Sequence, residues 1–448
     1  MIRCCWRKRQ ESKLSSQSLL ALMILVLVHV SLIDADASPP IQKGNSTTSE
    51  ALFRPVQGEF PPIELAHTYR GELVFVDHAN RRGSLRVQGS GMFFRNDPHP
   101  FALLPYAVVR YRNAPADLRD IPLGTILRVH AFLPPDPTLS AVPVLPPNNK
   151  EKDANHNRGA GIFPAENHVL LLEDEASYCK RTGNRWYLTE IKLNGDHGTV
   201  KAIRAREENG VEGNHEETFS IDSSTRIYRS RELLTLDEWL NESDWKQDTP
   251  IALENFPIDL GIIWKPTSKD LFTHFHLSEI WLDEVALQRA SHQQKERHIH
   301  WTKARWMPGW VDAVDYGEFG EATVTATLFG GMAEELYRDF KIEDGAMMNP
   351  VEVTLKHTHG AYGPAHMACR GPIIKVIRSE KSPPLGSSGI QIQFKTDLVL
   401  EGVRPSKIIR VRPPSWPIVN LPREEYLNDG SSTSEERFPT PDIFPKYR

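Results

Sequence analysis

The sequence predicts a mainly β chain, built as tandem small antiparallel barrel-like modules with one or two short helices. Three observations predict it. Apolar and polar residues alternate over short runs such as Ser84-Leu85-Arg86-Val87-Gln88, the two-residue period of a half-buried strand. Pairs of such runs flank polar turns, as in Thr189–Leu193, Asn194–Gly198 and Thr199–Ile203. The pattern recurs three times, too far apart for a solenoid repeat.

The chain has 448 residues, a length for several domains. It opens with Arg3, Arg7, Lys8, Arg9 and Lys13, then the apolar run Leu19–Val28, then Ala35-Asp36-Ala37 before Ser38. That order is the pattern of a secretory signal peptide over residues 1–37, and its apolar core is short for a permanent span. An exported protein in the periplasm, cell envelope or secreted space is therefore expected, with membrane contact only if the N-terminal segment stays uncleaved. Residues 38–61 are rich in Ser, Thr, Pro and Gly and read as a flexible leader.

The first module is placed at 62–133. Glu72–Asp77 and Ser84–Gln88 form its opening hairpin; Tyr106–Tyr111 and Thr125–Phe132 add strands. Residues 134–166 hold Pro134-Pro135, Pro146-Pro147 and a polar run, and read as a linker. The second module, 167–265, opens on the Thr189–Ile203 hairpin. The connector, 266–304, holds a strand and a helix expected over Ser278–Lys295, from Leu277, Ile280, Trp281, Glu284, Val285 and Gln288 at helical spacing. The third module, 305–412, opens on Gly309–Asp315 and Glu321–Ala326. Residues 413–448 are Pro- and Ser-rich and read as an extended tail.

Later segments also rhyme. Ala116–Asp120 before Gly124–Val129 matches Leu234–Glu238 before Thr249–Leu253, and Val169–Ser177 matches Ile280–Ala286. Modules of about five strands on such a plan suggest OB-like barrels, the oligonucleotide/oligosaccharide-binding type. The G-x-V-x-x-V-D hairpin at Gly309–Asp315, with the acidic-apolar segments, resembles modules of uncharacterised planctomycete-type exported proteins, over roughly residues 65–412. The resemblance implies a β-barrel fold and an envelope or secreted location, and brings no catalytic residues.

The net charge is −5. A mildly acidic exported chain without a basic stripe disfavours nucleic-acid partners. Cys4 and Cys5 lie in the leader, which leaves Cys179 and Cys369, too few for a disulfide framework; buried free thiols are expected. Asn45-Ser46-Thr47 and Asn241-Glu242-Ser243 match the glycosylation pattern.

Histidine carries the chemical candidates. His357, His359, His366 and Cys369 offer four donors of the type that binds Zn²⁺, with Gly360, Gly363 and Pro364 to turn the backbone between them. His274, His276, His298 and His300 are a second H-x-H set. None of these spacings is a zinc signature. The G-x-S-x-G elbow, H-E-x-x-H, P-loop and dinucleotide fingerprints do not occur. Glu173-Asp174-Glu175 and Asp283-Glu284 are acid pairs whose neighbours point apart, an unsuitable frame for glycoside hydrolysis. Trp281, Trp301, Trp306 and Trp310 read as core; exposed, they would stack on sugars. No catalytic residue and no cofactor is assigned. The expected role is a non-catalytic scaffold or binding protein with an envelope protein or polysaccharide as partner. A metal-binding protein or metal-dependent hydrolase, and a carbohydrate-binding module, are the alternatives.

Overall fold

The computed structural model describes residues 53–77, 81–87, 98–132, 167–195, 197–206, 215–241, 251–265, 275–350, 368–400 and 402–419. The expected signal peptide, the linker at 134–166 and the tail beyond 419 lie outside them. The chain is mainly β, in three closed barrels. No helix of the described residues is long and apolar enough to cross a membrane.

The first barrel uses β1 (His67–Asp77), β2 (Arg82–Val87), β3 (His99–Tyr111), β4 (Ala114–Pro115), β5 (Ile126–Phe132) and β6 (Asn167–Asp174). Its ring runs β1-β2-β3-β6-β5 and back to β1, with β4 on the edge of β3. Every pair is antiparallel except β3 with β6, which is parallel. Helix α1 (Glu175–Thr182) leads into the second barrel: β7 (Asn184–Asn194), β8 (His197–Arg206), β9 (His215–Asp222), β10 (Arg226–Arg229), β11 (Glu232–Leu234), helix α2 (Leu236–Asn241), β12 (Ile251–Ile263) and β13 (Phe275–Trp281). Its ring β7-β8-β9-β13-β12 repeats the first, again closed by one parallel pair, β9 with β13. The OB-like plan is thus present twice.

Helix α3 (Glu284–Arg305) enters the third barrel: β14 (Met307–Tyr316), β15 (Ala322–Phe329), helix α4 (Glu334–Arg338), β16 (Glu343–Pro350), β17 (Cys369–Arg378), β18 (Ser387–Thr396) and β19 (Ile408–Arg412). This ring, β14-β15-β18-β17-β16-β19, is antiparallel throughout. The three modules therefore share an opening hairpin and a barrel, while the third follows a different path.

Local chemistry explains the elements. In β15, Ala322, Val324, Ala326 and Leu328 are buried while the threonines between them are half-buried, as the pleat requires. Gly195, at φ +67°, is the first residue of the two-residue turn between the paired Asn194 and His197 and supplies its left-handed conformation. Asp117 and Thr235 each begin a short helical turn with a capping box. The Asp117 N–H donates to Asp120 Oδ2 at 2.9 Å, and the Thr235 N–H to Glu238 Oε2 at 2.8 Å. That is the physical content of the rhyme between Ala116–Asp120 and Leu234–Glu238.

The second rhyme is a strand that ends on an N-capping aspartate. Asp174 accepts from the Ser177 N–H at 3.0 Å, and Asp283 from the Ala286 N–H at 2.8 Å. This corrects two placements. Asn167–Asp174, expected at the head of the second module, closes the first barrel. Ser278–Trp281, expected as helix, is strand β13, and the helix runs from Glu284 to Arg305. Ile280 and Trp281 are buried in β13.

Segments outside the barrels hold them together. Phe60 from the leader stacks on Trp310 of β14 at 4.2 Å between centroids and lies edge-on to Tyr106 of β3 at 5.1 Å, joining the first and third barrels. Gln57 Nε2 donates to the Ser406 carbonyl at 2.9 Å. The expected tail begins as an anchor: Trp416 is buried against Phe340, and its Nε1–H donates to Asp339 Oδ2 at 2.7 Å.

Candidate functional site

His357, His359 and His366 lie outside the described residues. Cys369 faces the core of the third barrel, where burial pushes its thiol up and the Leu400 N–H donates to Sγ at 3.5 Å. Cys179 is also free and buried. His276 and His298 are both described, and no group of three or more metal-ligating side chains occurs among the described residues.

His276 sits instead in a polar clasp inside the second barrel. The parallel pairing of β13 with β9 places it opposite Ser220, and Nδ1 lies 3.1 Å from Ser220 Oγ. Nε2 lies 3.5 Å from Thr225 Oγ1 and 3.6 Å from Asp222 Oδ1. Lys265 pairs with the same aspartate. Serine, histidine and aspartate in line have the composition of a nucleophile triad. Here burial lowers the imidazole to about 4, against the pull of Asp222, and the ring is 1% exposed. With Nδ1 beside Ser220 and Nε2 beside Thr225, the ring fastens β9 to β13.

A buried ionic network joins the first two barrels. Glu175, the first residue of α1, is 1% exposed. Arg128 Nε contacts it at 3.0 Å, Arg204 Nη1 at 3.0 Å and Arg70 Nη2 at 3.7 Å. Burial alone would raise its carboxyl, and these three guanidinium groups hold it down at about 2. Arg128 lies over the Tyr178 ring at 3.9 Å and Arg204 at 5.4 Å. Arg128 and Arg70 come from the first barrel, Arg204 from the second, so one acid ties both to α1.

A second cluster gathers where the first barrel, the end of α3 and the third barrel meet. Arg81 follows β1, Arg119 lies in the turn begun by Asp117, Arg305 ends α3 and Arg410 lies on β19. Arg305 Nη1 is 3.4 Å from Asp117 Oδ2. Arg119 and Arg305 lie over the Trp301 ring at 4.2 and 5.5 Å. Burial lowers Arg410 to about 9, helped by the charges of Arg305 and Arg81, and lowers Arg305 to about 10. Asp117 is held below the usual carboxylate range, against burial, by Arg305, Arg81 and Arg119. The remaining tryptophans of the aromatic run, Trp306 and Trp310, are buried together with Trp281. Trp301 is half-buried, with Arg119 and Arg305 over its ring.

The third barrel also carries an exposed apolar tip at its opening hairpin. Phe319 is 99% exposed, Tyr316 69% and Leu398 64%. Ala322 pairs with Thr396, which brings the hairpin end beside Leu398. Phe319 adopts φ +58°, costly for a bulky side chain. Asp315, Glu318, Glu321 and Asp397 lie on the same strand ends, with Lys395 paired to Glu321 at 3.0 Å. Neither the arginine cluster nor this tip is visible as a motif. The arginines are scattered over more than 300 positions, and the tip reads as an ordinary turn. The only local signal was a Phe between turn glycines, Gly317 and Gly320.

No family model, curated protein or solved structure matches this chain.

Proposed function

We propose that the protein is an exported, non-catalytic scaffold or binding protein of the cell envelope or secreted space, with another envelope protein as its main partner. The observation that carries this reading is the apolar tip at Tyr316, Phe319 and Leu398. A fully exposed phenylalanine in a left-handed conformation is costly in water and in backbone energy, and such costs collect at contact sites. Its acidic rim disfavours an anionic lipid surface and suits an apolar groove edged by basic residues. The rest of the architecture supports a scaffold: the ion pairs around Glu175 and Asp117 fasten one barrel to the next. Residues 1–37 supply the export address, removed before Ser38.

The test has two arms. Expression in a bacterial host should yield mature protein beginning at Ser38 outside the cytoplasm; intact cytoplasmic protein would reject export. Wild type and the double variant Phe319→Ser, Leu398→Ser, with equal melting midpoints, should then be compared by crosslinking in envelope extracts. A protein partner held by wild type and lost by the variant is expected. Equal capture by both would reject the tip as the contact. Stoichiometric zinc together with hydrolytic activity lost in His357→Ala would replace this reading with a metal-dependent enzyme.

A further inference from the structure

We infer that the apolar tip of the third barrel docks on a second copy of this chain, at an isoleucine ridge elsewhere on the same barrel. The inference rests on the tip reading above and makes the neighbouring envelope protein an identical molecule. The ridge is built where β16 meets β17. Glu343 pairs with Ile373, so Ile342 and Ile374, one step further along each antiparallel chain, are neighbours. Both face solvent, Ile342 at 70% exposure and Ile374 at 40%, and Ile377 continues the ridge at 37%. Apolar side chains grouped in this way, unlike scattered ones, mark contact surfaces. The next step of the register brings Lys341 beside Lys375, both exposed. Neither enters an ion pair among the described residues. Glu343 shares the inner side with its buried partner Ile373, and Asp344 and Glu380 lie beyond the two ends of the ridge. Like charges facing each other across a strand pair repel, and an acid supplied from outside removes that cost.

The tip supplies those acids. Tyr316, Phe319 and Leu398 present apolar surface, and Asp315 and Glu318 beside them are exposed and enter no ion pair among the described residues. Apolar surface with acids therefore faces apolar surface with lysines, the complementarity that fixes a partner and its orientation. The register keeps the two surfaces of one molecule apart. On β18, Thr396 is level with the tip hairpin through Ala322, and Gln391 is level with Ile377. Those levels are about 17 Å apart along the strands, and β18 lies between the hairpin strand β15 and the ridge strand β17. The ridge thus runs away from its own tip, and the contact joins unlike surfaces of two molecules. Such a heterologous contact does not close on itself and builds open chains of copies. A few side chains per partner bury less than a standard interface, so each contact is weak, on the order of 0.1 mM.

Sedimentation of the purified chain at concentrations up to about 1 mM tests it. Reversible growth from monomer to chains of several copies is expected, weakened at about 1 M salt, where charge attraction is screened. Asp315→Lys with Glu318→Lys makes tip and ridge both basic; Lys341→Glu with Lys375→Glu makes both acidic. All four positions are exposed, so melting midpoints should stay at the wild-type value. Each double variant alone should associate about tenfold more weakly than wild type. An equimolar mixture of the two should associate again, because each offers the other an opposite charge. A wild type that stays monomeric, association indifferent to both variants, or a mixture as dissociated as its components would overturn the inference. The tip reading has its own outcome. A monomeric chain whose tip still captures a different envelope protein, lost in Phe319→Ser, Leu398→Ser, rejects the second copy and keeps the tip. A monomeric chain with equal capture by wild type and that variant rejects both.

Discussion

Arg112 Nη2 lies 2.6 Å from Glu279 Oε1, and Arg112 Nε lies 3.0 Å from Glu279 Oε2. This bidentate pair links the turn after β3 in the first barrel to β13 in the second. The same residue donates its N–H to the capping Asp174 at 2.9 Å and accepts from Ser291 Oγ of α3 at its carbonyl. Four elements therefore meet at one arginine, which holds φ +53° to reach them all.

Removing that arginine leaves Glu279, whose side chain is 8% exposed, without its partner. Arg112→Met is expected to cost about 3 kcal/mol in urea unfolding, the scale for breaking a buried pair by deleting one member. The double variant with Glu279→Met should recover much of that loss. Additive losses would show that the pair contributes no coupling between the barrels.

Acid should destabilise the protein in two stages. Burial lowers His168 and His276 to about 4 from 6.5. Between those values the unfolded chain binds the protons and the folded chain does not, so stability falls as pH drops from 6.5 toward 4. Asp174, lifted by burial to about 6, works the other way as pH falls below 6. Glu175, where Arg128, Arg70 and Arg204 outweigh burial, adds its loss from 4.5 down to about 2. The net expectation is a melting midpoint that declines below pH 6.5. In His276→Gln the slope should be shallower by about 1–3 kcal/mol over that window. An unchanged slope in the variant would contradict the buried neutral imidazole.

Gly331 bears on the contact between the first and third barrels. It has φ +79°, and a Cβ there would meet Val108 Cγ2 at 2.8 Å. Gly331→Ala should cost about 1–3 kcal/mol through strain and overpacking. Adding Val108→Ala should remove the steric part, so the double variant should be more stable than the sum of the single losses. Strict additivity would place the whole cost in the backbone.

Phe319→Gly should separate binding from stability. Glycine relieves the left-handed backbone at φ +58° but adds freedom to the unfolded chain, so stability should stay level or rise by up to about 1 kcal/mol. Partner crosslinking should be lost. A destabilised variant would mean that Phe319 packs on its own barrel in solution.

Strand periodicity made the hairpins legible, because each pairs neighbours in sequence: β1 with β2, β7 with β8, β14 with β15. The aspartate-capped strand-to-helix segments were legible as a repeat, though not in their boundary. Leu277, Ile280 and Trp281 fit a helical stripe as well as a strand, and only Asp283 marks the switch. The second half of α3 was missed because its buried face includes Gln294, His298 and Thr302, polar residues that blur an apolar stripe. Two of those residues reach the flanking barrels: Gln294 Nε2 donates to the Pro115 carbonyl at 3.4 Å, and His298 Nε2 lies 3.2 Å from Met332 Sδ. Gly330-Gly331 reads as a turn in sequence, and its fit against Val108 appears only when two barrels are side by side. The different path of the third barrel and the convergence of Arg81, Arg119, Arg305 and Arg410 depend on long-range pairing, which no local pattern encodes.

The parallel closure of the first two barrels has a kinetic meaning. β3 cannot receive β6 until the chain has run through the long Pro-rich stretch between β5 and Asn167, and β9 waits likewise for β13. Closing such large loops costs entropy before any contact offsets it, so these seams form late and slowly. During synthesis the first barrel gains its final strand before the second has any. The open seam of β3 is then the most aggregation-prone edge of the nascent protein. Variants that slow its closure should lower the yield of soluble protein more than they lower its equilibrium stability.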